Sequence, residues 1–257
     1  MIERCEIGIA GLDEALNGGI PKGNLVLVSG GAGTGKSTLC LHFLITGASK
    51  GEKGLYVSTE QGSEELIKQA EEYQMPLREL IATDMIRVLL IDLLREDTLM
   101  DKLKKEIQMF APSRLVVDSL STFSEFASAL DFSREILMRR GGVATRALDQ
   151  VAPQRISERT MTKRMLGLLI NNLKSSNATA LLTSELTEKS DNLSSDGISE
   201  FLVDGVIVMN FFGIGESEFR TLQIRKMRYT DHEQKSIAYK MISSGIKTIS
   251  DKEILKL

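Results

Sequence analysis

Cysteine, proline and uninterrupted apolar runs are all scarce in this chain. Two cysteines, Cys5 and Cys40, stand among 257 residues, too few for a disulfide framework and without metal-ligand spacing. Both are expected in apolar surroundings in a reducing compartment. Four prolines leave little punctuation from which to draw a boundary. With no Pro/Gly/Ser-rich linker, internal repeat or low-complexity tract, residues 1–257 read as a single domain. The clearest apolar stretch near mid-chain, Met165 to Ile170, is interrupted by Gly167 and falls far short of the ~18 residues that a membrane span needs. Met1 to Glu6 carries acids where a signal peptide needs an apolar run. A cytoplasmic protein without membrane contact is the expectation. The net charge of −3 excludes a chain that is basic throughout, so any nucleic-acid contact must be local.

Glycine, by contrast, is concentrated where it matters. Gly30 to Ser37 reads Gly-Gly-Ala-Gly-Thr-Gly-Lys-Ser and fits the phosphate-binding pattern G-x-x-x-x-G-K-[ST]. A triphosphate demands inward-turned backbone N–H groups, a cation for its terminal phosphates and a hydroxyl for its metal. Gly31, Gly33 and Gly35 are expected to supply positive φ and close backbone approach. Lys36 is expected to reach the β and γ phosphates, and Ser37 to offer its hydroxyl to Mg²⁺ at the positive end of a helix. The ATP-binding set is thus Gly31, Ala32, Gly33, Thr34, Gly35, Lys36, Ser37 and Thr38. The flanks agree: Leu25 to Ser29 is a short apolar run suited to a buried parallel strand, and Leu39, Phe43, Leu44 and Gly47 follow at helical spacing. No N-K-x-D guanine-reading motif is present, so adenine is the expected base.

Strand and helix then alternate. Leu55 to Ser58 reads as a strand, and Ser63 as the cap of a helix with Leu66, Ile67, Ala70 and Tyr73 on one face. Ile86 to Ile91 and Leu115 to Val117 read as further strands on either side of a helix from Leu99 to Phe110. Beyond Asp204, the runs Gly205 to Phe211, Phe219 to Met227 and Ile237 to Ile242 are closely spaced and suit antiparallel hairpins. The fold class expected is α/β: a central, mostly parallel twisted sheet with helices on both faces and a C-terminal antiparallel edge.

Hydrolysis needs a metal-holding carboxylate, a group to orient or deprotonate water, and positive charge for the transition state. Asp118 ends the strand Leu115 to Val117 and joins Ser37 as a candidate Mg²⁺ ligand at the carboxyl edge of the sheet. Glu60 follows the strand Leu55 to Ser58 and is the candidate base. Thr183-Ser184-Glu185 closes the buried run Ala178 to Leu182 and offers a hydroxyl that could sense the γ-phosphate. His42, inside the helix after the glycine loop, reads as a packed residue rather than a ligand.

Together these residues resemble the RecA-like ATPases, and within them the KaiC-like group with its single-domain archaeal members. The resemblance covers nearly the whole chain. It rests on Gly11-Leu12-Asp13 with Gly18 to Gly23, on Gly30 to Thr38, Thr59-Glu60-Gln61, Val116 to Ser119 and Thr183 to Glu185, and on Lys226-Met227-Arg228-Tyr229-Thr230-Asp231-His232. It implies the RecA-like fold and a homo-oligomer, a hexameric ring, with ATP between neighbouring subunits. It further implies that Lys226 and Arg228 reach the neighbour's γ-phosphate, with Thr230 and His232 near the nucleotide. Catalysis would then rest on Glu60, Lys36 and Arg228, giving a slow Mg-ATPase acting in regulation or signalling. A regulatory module that binds nucleotide with little turnover, and a recombinase-like accessory factor that binds DNA, remain the alternatives.

Three departures stand out. The family commonly has two adjacent glutamates where this chain has Glu60-Gln61, so chemistry survives if the first of the pair is the base and hydrolysis is slow if the second is needed. Tyr229 replaces a glycine of the clock protein. Glu200-Phe201 replaces that protein's phosphorylated Ser-Thr pair, so autophosphorylation of that kind is not expected.

A segment at about 122–159 is longer than the resemblance accounts for and reads as a basic, helical insertion. Between Arg134 and Arg164 it holds eight Lys/Arg against three acids, with no aromatic residue to stack on bases. It is either a nucleic-acid contact or a solvated, partner-binding arm. Replacing Arg139, Arg140 and Arg146 by Ala decides between them. If phosphates are the target, affinity for single-stranded DNA should fall, and the slope of log K against log salt should shrink by roughly one per lost contact. Salt-independent or absent binding by the wild type would leave the protein-partner reading.

Overall fold

The computed structural model describes residues 2–91, 99–125, 158–186, 192–214, 217–232 and 234–250. Its first strands, β1 (Arg4–Cys5) and β2 (Ile20–Pro21), pair antiparallel around the short helix α1 (Ala10–Ala15). The main sheet begins with β3 (Leu25–Gly30), whose six residues are all buried. There follow α2 (Lys36–Ser49), β4 (Gly54–Ser58), α3 (Ser63–Glu72), α4 (Leu77–Ala82), β5 (Ile86–Leu90), α5 (Leu99–Phe110) and β6 (Arg114–Asp118). Residues 120–125 are helical. Then come α6 (Glu158–Ser175), β7 (Thr179–Glu185), α7 (Ser199–Leu202) and the strands β8 (Gly205–Ile214), β9 (Ser217–Met227), β10 (Ser236–Ile242) and β11 (Gly245–Thr248). Of the insertion expected at about 122–159, residues 126–157 lie outside the described residues.

The nine strands are ordered β11-β10-β9-β8-β3-β7-β6-β4-β5. From β8 to β5 all neighbours are parallel, and β8 to β11 continue as antiparallel hairpins. Because side chains alternate across a strand, each parallel strand feeds two cores. Val26, Val28, Tyr56 and Val116 pack with Leu39, Phe43 and Leu44 of α2 and Leu66, Ile67 and Ala70 of α3. Leu25, Leu27, Leu55, Val57, Leu115 and Val117 pack on the other face with Leu103, Ile107 and Phe110 of α5 and Leu166, Leu169 and Leu173 of α6. The mostly parallel sheet, the helices on both faces and the antiparallel edge are as the sequence predicts. Both thiols are buried, and burial holds each above the usual thiol range.

One local expectation changes, and several short elements appear that the sequence did not announce. The cap of α3 is Gly62 rather than Ser63: the Glu65 carboxylate accepts the Gly62 N–H at 2.9 Å, which satisfies the helix start from inside its first turn. The pair β1–β2 and the strand β11 are too short to show a period of two in the sequence. Helix α4, at six residues, is likewise too short to show helical periodicity.

A buried cation ties the two layers together. Arg114 opens β6 at 1 % exposure. Its Nε donates to Glu52 at 2.6 Å, and its Nη1 donates to the carbonyls of Glu6 at 2.5 Å and Phe43 at 2.7 Å. It also lies 4.7 Å from the centre of the Phe43 ring. The guanidinium passes beside Gly47 of α2, where an added Cβ would stand 2.3 Å from Nε. Ala is normally the better helix former by ~1 kcal/mol, and in α6 a Cβ at Gly167 would meet nothing within 4 Å. Gly167→Ala should therefore raise the urea midpoint, whereas Gly47→Ala should lower it, at a cost of about 1–3 kcal/mol for overpacking. Urea titrations with unchanged m-values check the opposite signs.

Candidate functional site

The chemistry-bearing residues collect where the parallel strands end. A cavity of about 300 Å³ is lined by Ala32, Gly33, Gly35, Lys36, Ser37, Thr38, Glu60, Gln61, Asp118 and Glu185, with Gln69 and Tyr73 from α3, Arg220 from β9 and Met241 from β10. Its floor is the loop between β3 and α2. Gly33 and Gly35 take φ of +75° and +96°, a region that only glycine enters freely. Gly31 does not adopt positive φ, contrary to expectation. The close approach falls instead on Gly30, where a Cβ would stand 2.4 Å from the Met209 carbonyl of β8.

Lys36 is buried and folds back over the loop, donating to the carbonyls of Gly30 at 2.9 Å and Gly31 at 3.1 Å, with Glu185 at 3.9 Å. Thr34 Oγ1 donates to the Gly31 carbonyl at 2.8 Å, and the Tyr239 hydroxyl donates to the Thr34 carbonyl at 2.5 Å. Arg220 donates to the Gly33 carbonyl at 3.3 Å while lying over the Phe211 ring. The loop is thus held from both the parallel strands and the antiparallel edge.

Asp118 is the hub of the opposite wall. Ser37 Oγ donates to its Oδ2 at 2.8 Å, Tyr56 donates to the same oxygen, and Thr183 Oγ1 donates to Oδ1 at 2.5 Å. Burial and the adjacent carboxylate push the Tyr56 phenol well above its usual range, so it stays a donor at any physiological pH. Glu60 projects beyond β4, its Oε1 accepting from Ser119 Oγ at 3.4 Å and Thr122 Oγ1 at 3.3 Å. Ser58 Oγ accepts the N–H groups of Glu60 at 3.3 Å and Gln61 at 2.9 Å, which fixes the turn that presents both. Ser37 Oγ and Asp118 Oδ2 form a pair of hard oxygen donors suited to Mg²⁺, which takes one or two protein ligands beside phosphate oxygens.

A sequence model of the family described as "ATPase: KaiC" matches residues 5–142 and 137–253. The chain belongs to the KaiC ATPase family. The circadian clock oscillator protein KaiC of Nostoc sp. is 26% identical over 256 residues, covering 95% of this chain and 44% of that protein. The chain therefore spans less than half of that curated relative. A UPF0273 protein of Pyrococcus furiosus is 29% identical over 253 residues, covering 98% of this chain and 96% of its own length. The crystal structure of a KaiC-like protein from the hyperthermophilic archaeon Pyrococcus horikoshii superposes with a TM-score of 0.77 at 26% identity. That superposition covers 97% of this chain and 100% of the other. Among the described residues no helix is long and apolar enough to cross a membrane.

Within this KaiC-family fold, the residues singled out by sequence divide into two groups. Gly31 to Thr38, Glu60 and Asp118 surround the cavity or its loop. Lys226, Arg228, Thr230 and His232 do not line it. Strand β9 runs antiparallel to β8, and β8 runs parallel to β3 with Gly205 beside Val26. Lys226 and Arg228 consequently emerge at the amino edge, a β3 strand length or roughly 20 Å from the loop. There Lys226 Nζ donates to the carbonyls of Glu200 at 3.0 Å and Val203 at 2.7 Å, and burial holds its ammonium below the ordinary lysine range. Arg228 donates to Asp204 at 2.8 Å.

Thr183 and Ser184 correct a further expectation. Thr183 is spent on Asp118 and Ser184 Oγ donates to Ser195 Oγ at 3.3 Å, so of this trio Glu185 alone faces the cavity. Strand alternation turns Ser184 to the opposite face, while Thr183, on the same face as Glu185, has its hydroxyl taken by Asp118. Arg220, Tyr73, Gln69 and Met241 were not foreseen; no motif marks them, since topology alone brings them to the loop.

His42 is no ligand. Its Nε2 accepts the Ile246 N–H at 3.0 Å, which joins α2 to β11, and burial lowers its pKa from the usual 6.5. A folded-state pKa below the unfolded one gives stability that is present above about pH 6.5 and lost as pH falls through the folded value. Protonation also turns the acceptor into a donor facing an N–H. Thermal melts should show Tm falling below pH 6.5, and His42→Gln should flatten that part of the profile; equal pH slopes for both proteins would contradict the assignment.

Proposed function

We propose that this chain binds Mg-ATP at the loop Gly31 to Thr38 and hydrolyses it slowly at the interfaces of a homo-oligomeric ring. In this reading nucleotide turnover serves regulation or signalling. One observation carries it: Lys36, Ser37, Glu60 and Asp118 gather at the carboxyl edge, whereas Lys226 and Arg228 stand at the amino edge of the same sheet. A cation that cannot reach its own loop can complete a site only in a second copy.

The backbone N–H groups of the loop would cradle the phosphates, with Lys36 turning from the Gly30 and Gly31 carbonyls to the β and γ oxygens. Ser37 and Asp118 would hold Mg²⁺, which when bound supplies charge neutralisation on the phosphates. Glu60 would orient a water whose oxygen attacks the γ-phosphorus as the bond to the ADP oxygen breaks, and would take the water's proton. Arg228 of a neighbouring copy would stabilise the charge on the transferring group. Ser119 and Thr122, hydrogen-bonded to Glu60, would fix its aim.

Three variants separate the roles. Lys36→Ala should abolish ATP binding in a calorimetric titration. Glu60→Gln should keep binding and lose on the order of 10² or more in turnover; an unchanged rate would move the water-positioning role to Gln61 or elsewhere. Arg228→Ala should be inactive alone, yet mixing it with Lys36→Ala should restore turnover at interfaces that join an intact Lys36 to an intact Arg228. A mixture no more active than its components, after confirmed subunit exchange, would remove the trans mechanism.

A further inference from the structure

The segment that follows Arg228 is held in shape from the amino-terminal part of the chain. Arg4, half-buried on β1, places Nη1 at 2.9 Å from the Leu16 carbonyl, 3.0 Å from the Gly19 carbonyl and 2.9 Å from Thr230 Oγ1. Its Nη2 donates to the Tyr229 carbonyl at 3.3 Å. One guanidinium thereby joins the C-terminal end of α1 and the glycine turn to the two residues after Arg228. Asn17 Nδ2 adds a bond to the Asp231 carbonyl at 2.7 Å, and Asn24 Nδ2 one to the Arg228 carbonyl at 3.5 Å.

The backbone needs this support. Tyr229 has φ of +62°, a left-handed conformation that is strained for a bulky residue and persists only where its surroundings fix it. Its ring is exposed at 69%, so packing of the side chain does not do the fixing. The polar contacts of its neighbours do: Asp204 accepts both the Arg228 N–H, through its carbonyl at 2.9 Å, and the guanidinium, through Oδ1, while Arg4 holds residues 229 and 230 on the far side. A lysine at position 4 could not replace this fork, because an ammonium is a single donor point, whereas here Nη1 meets Leu16, Gly19 and Thr230 while a second nitrogen, Nη2, reaches Tyr229.

We infer that Arg4 is a positioning residue for the trans-acting cation: it fixes the backbone of 229–230 so that Arg228 is presented to the nucleotide of the neighbouring copy. Arg4 touches no substrate. Its effect falls on the neighbour's turnover and leaves its own phosphate loop intact. The inference rests on the trans reading above, and the test separates the two.

In the homo-oligomer, Arg4→Met should lose roughly 10- to 100-fold in kcat, the scale expected of a misplaced catalytic group, with KM for ATP within about twofold of wild type. Arg4→Lys should fall between the two. Mixing decides the mechanism. Arg4→Met with Lys36→Ala should regain turnover, since the first supplies a sound loop and the second a sound cation segment. Arg4→Met with Arg228→Ala should not, because neither brings a well-placed cation. If Arg228→Ala and Lys36→Ala complement one another but Arg4→Met and Lys36→Ala do not, Arg4 serves its own site or the fold, and the inference falls while the trans reading stands. If the control pair itself fails, both fall. Should Arg4→Met not fold, Arg4→Lys carries the same mixing test, and wild-type kcat in Arg4→Lys overturns the need for the fork.

Discussion

Three hydroxyls from three different elements meet on the Asp118 carboxylate, and the carboxyl edge of the sheet is organised around that meeting. Ser37 lies in the first turn of α2, Tyr56 lies within β4, and Thr183 lies in β7; each donates to a carboxylate at the end of β6. A carboxylate accepts through about four lone-pair sites, so three hydroxyls come close to saturating it. The order of strands makes this possible: β6 sits between β4 and β7, and β7 adjoins β3. Loosening one donor would release the helix, the glycine loop or a strand end, and the cavity between Glu60 and Lys36 would lose its shape.

The sequence made legible whatever depends on a run of residues. The buried strands could be read because they are apolar on both faces, the glycine loop because its spacing fits a known pattern between a strand and a helix, and α3 and α5 because their apolar residues recur every three or four positions. The carboxyl-edge positions of Asp118 and Glu60 followed from the strands that precede them. Less legible were features set by long-range contact. Arg114 looks like an ordinary strand-start cation in sequence, yet it is almost fully buried because Glu52, two carbonyls and the Phe43 ring receive it. Arg220 and Tyr239 reach the loop only because β9 and β10 fold back along β8. Gly31 stands at an unrestricted position of the motif and lacks the positive φ expected of it, whereas the motif's own first glycine, Gly30, is where the Met209 carbonyl leaves no room for a Cβ.

The amino-terminal fifty residues illustrate how local and distant roles share one segment. Asp13 accepts the N–H groups of Ile7, Gly8 and Ile9 at 2.7, 2.9 and 3.2 Å, and burial holds its carboxyl above the usual range despite those bonds. The turn it stabilises leads to Leu16 and Gly19, whose carbonyls hold Arg4. The glycine-rich opening therefore gives shape both to the entry into β3 and to the residues after Arg228, which emerge beside it at the same amino edge.

The opposed edges of the sheet give the molecule a direction. On the trans reading, copies joined head to tail would bring the loop edge of one to the cation edge of the next, a contact between two different surfaces rather than one patch meeting itself. A row of such copies left open always ends with one unmatched loop and one unmatched cation, so it holds one fewer complete site than it has members. Closing the row removes both loose ends at once. On the trans reading, the last joint to form therefore adds a working site without adding a subunit.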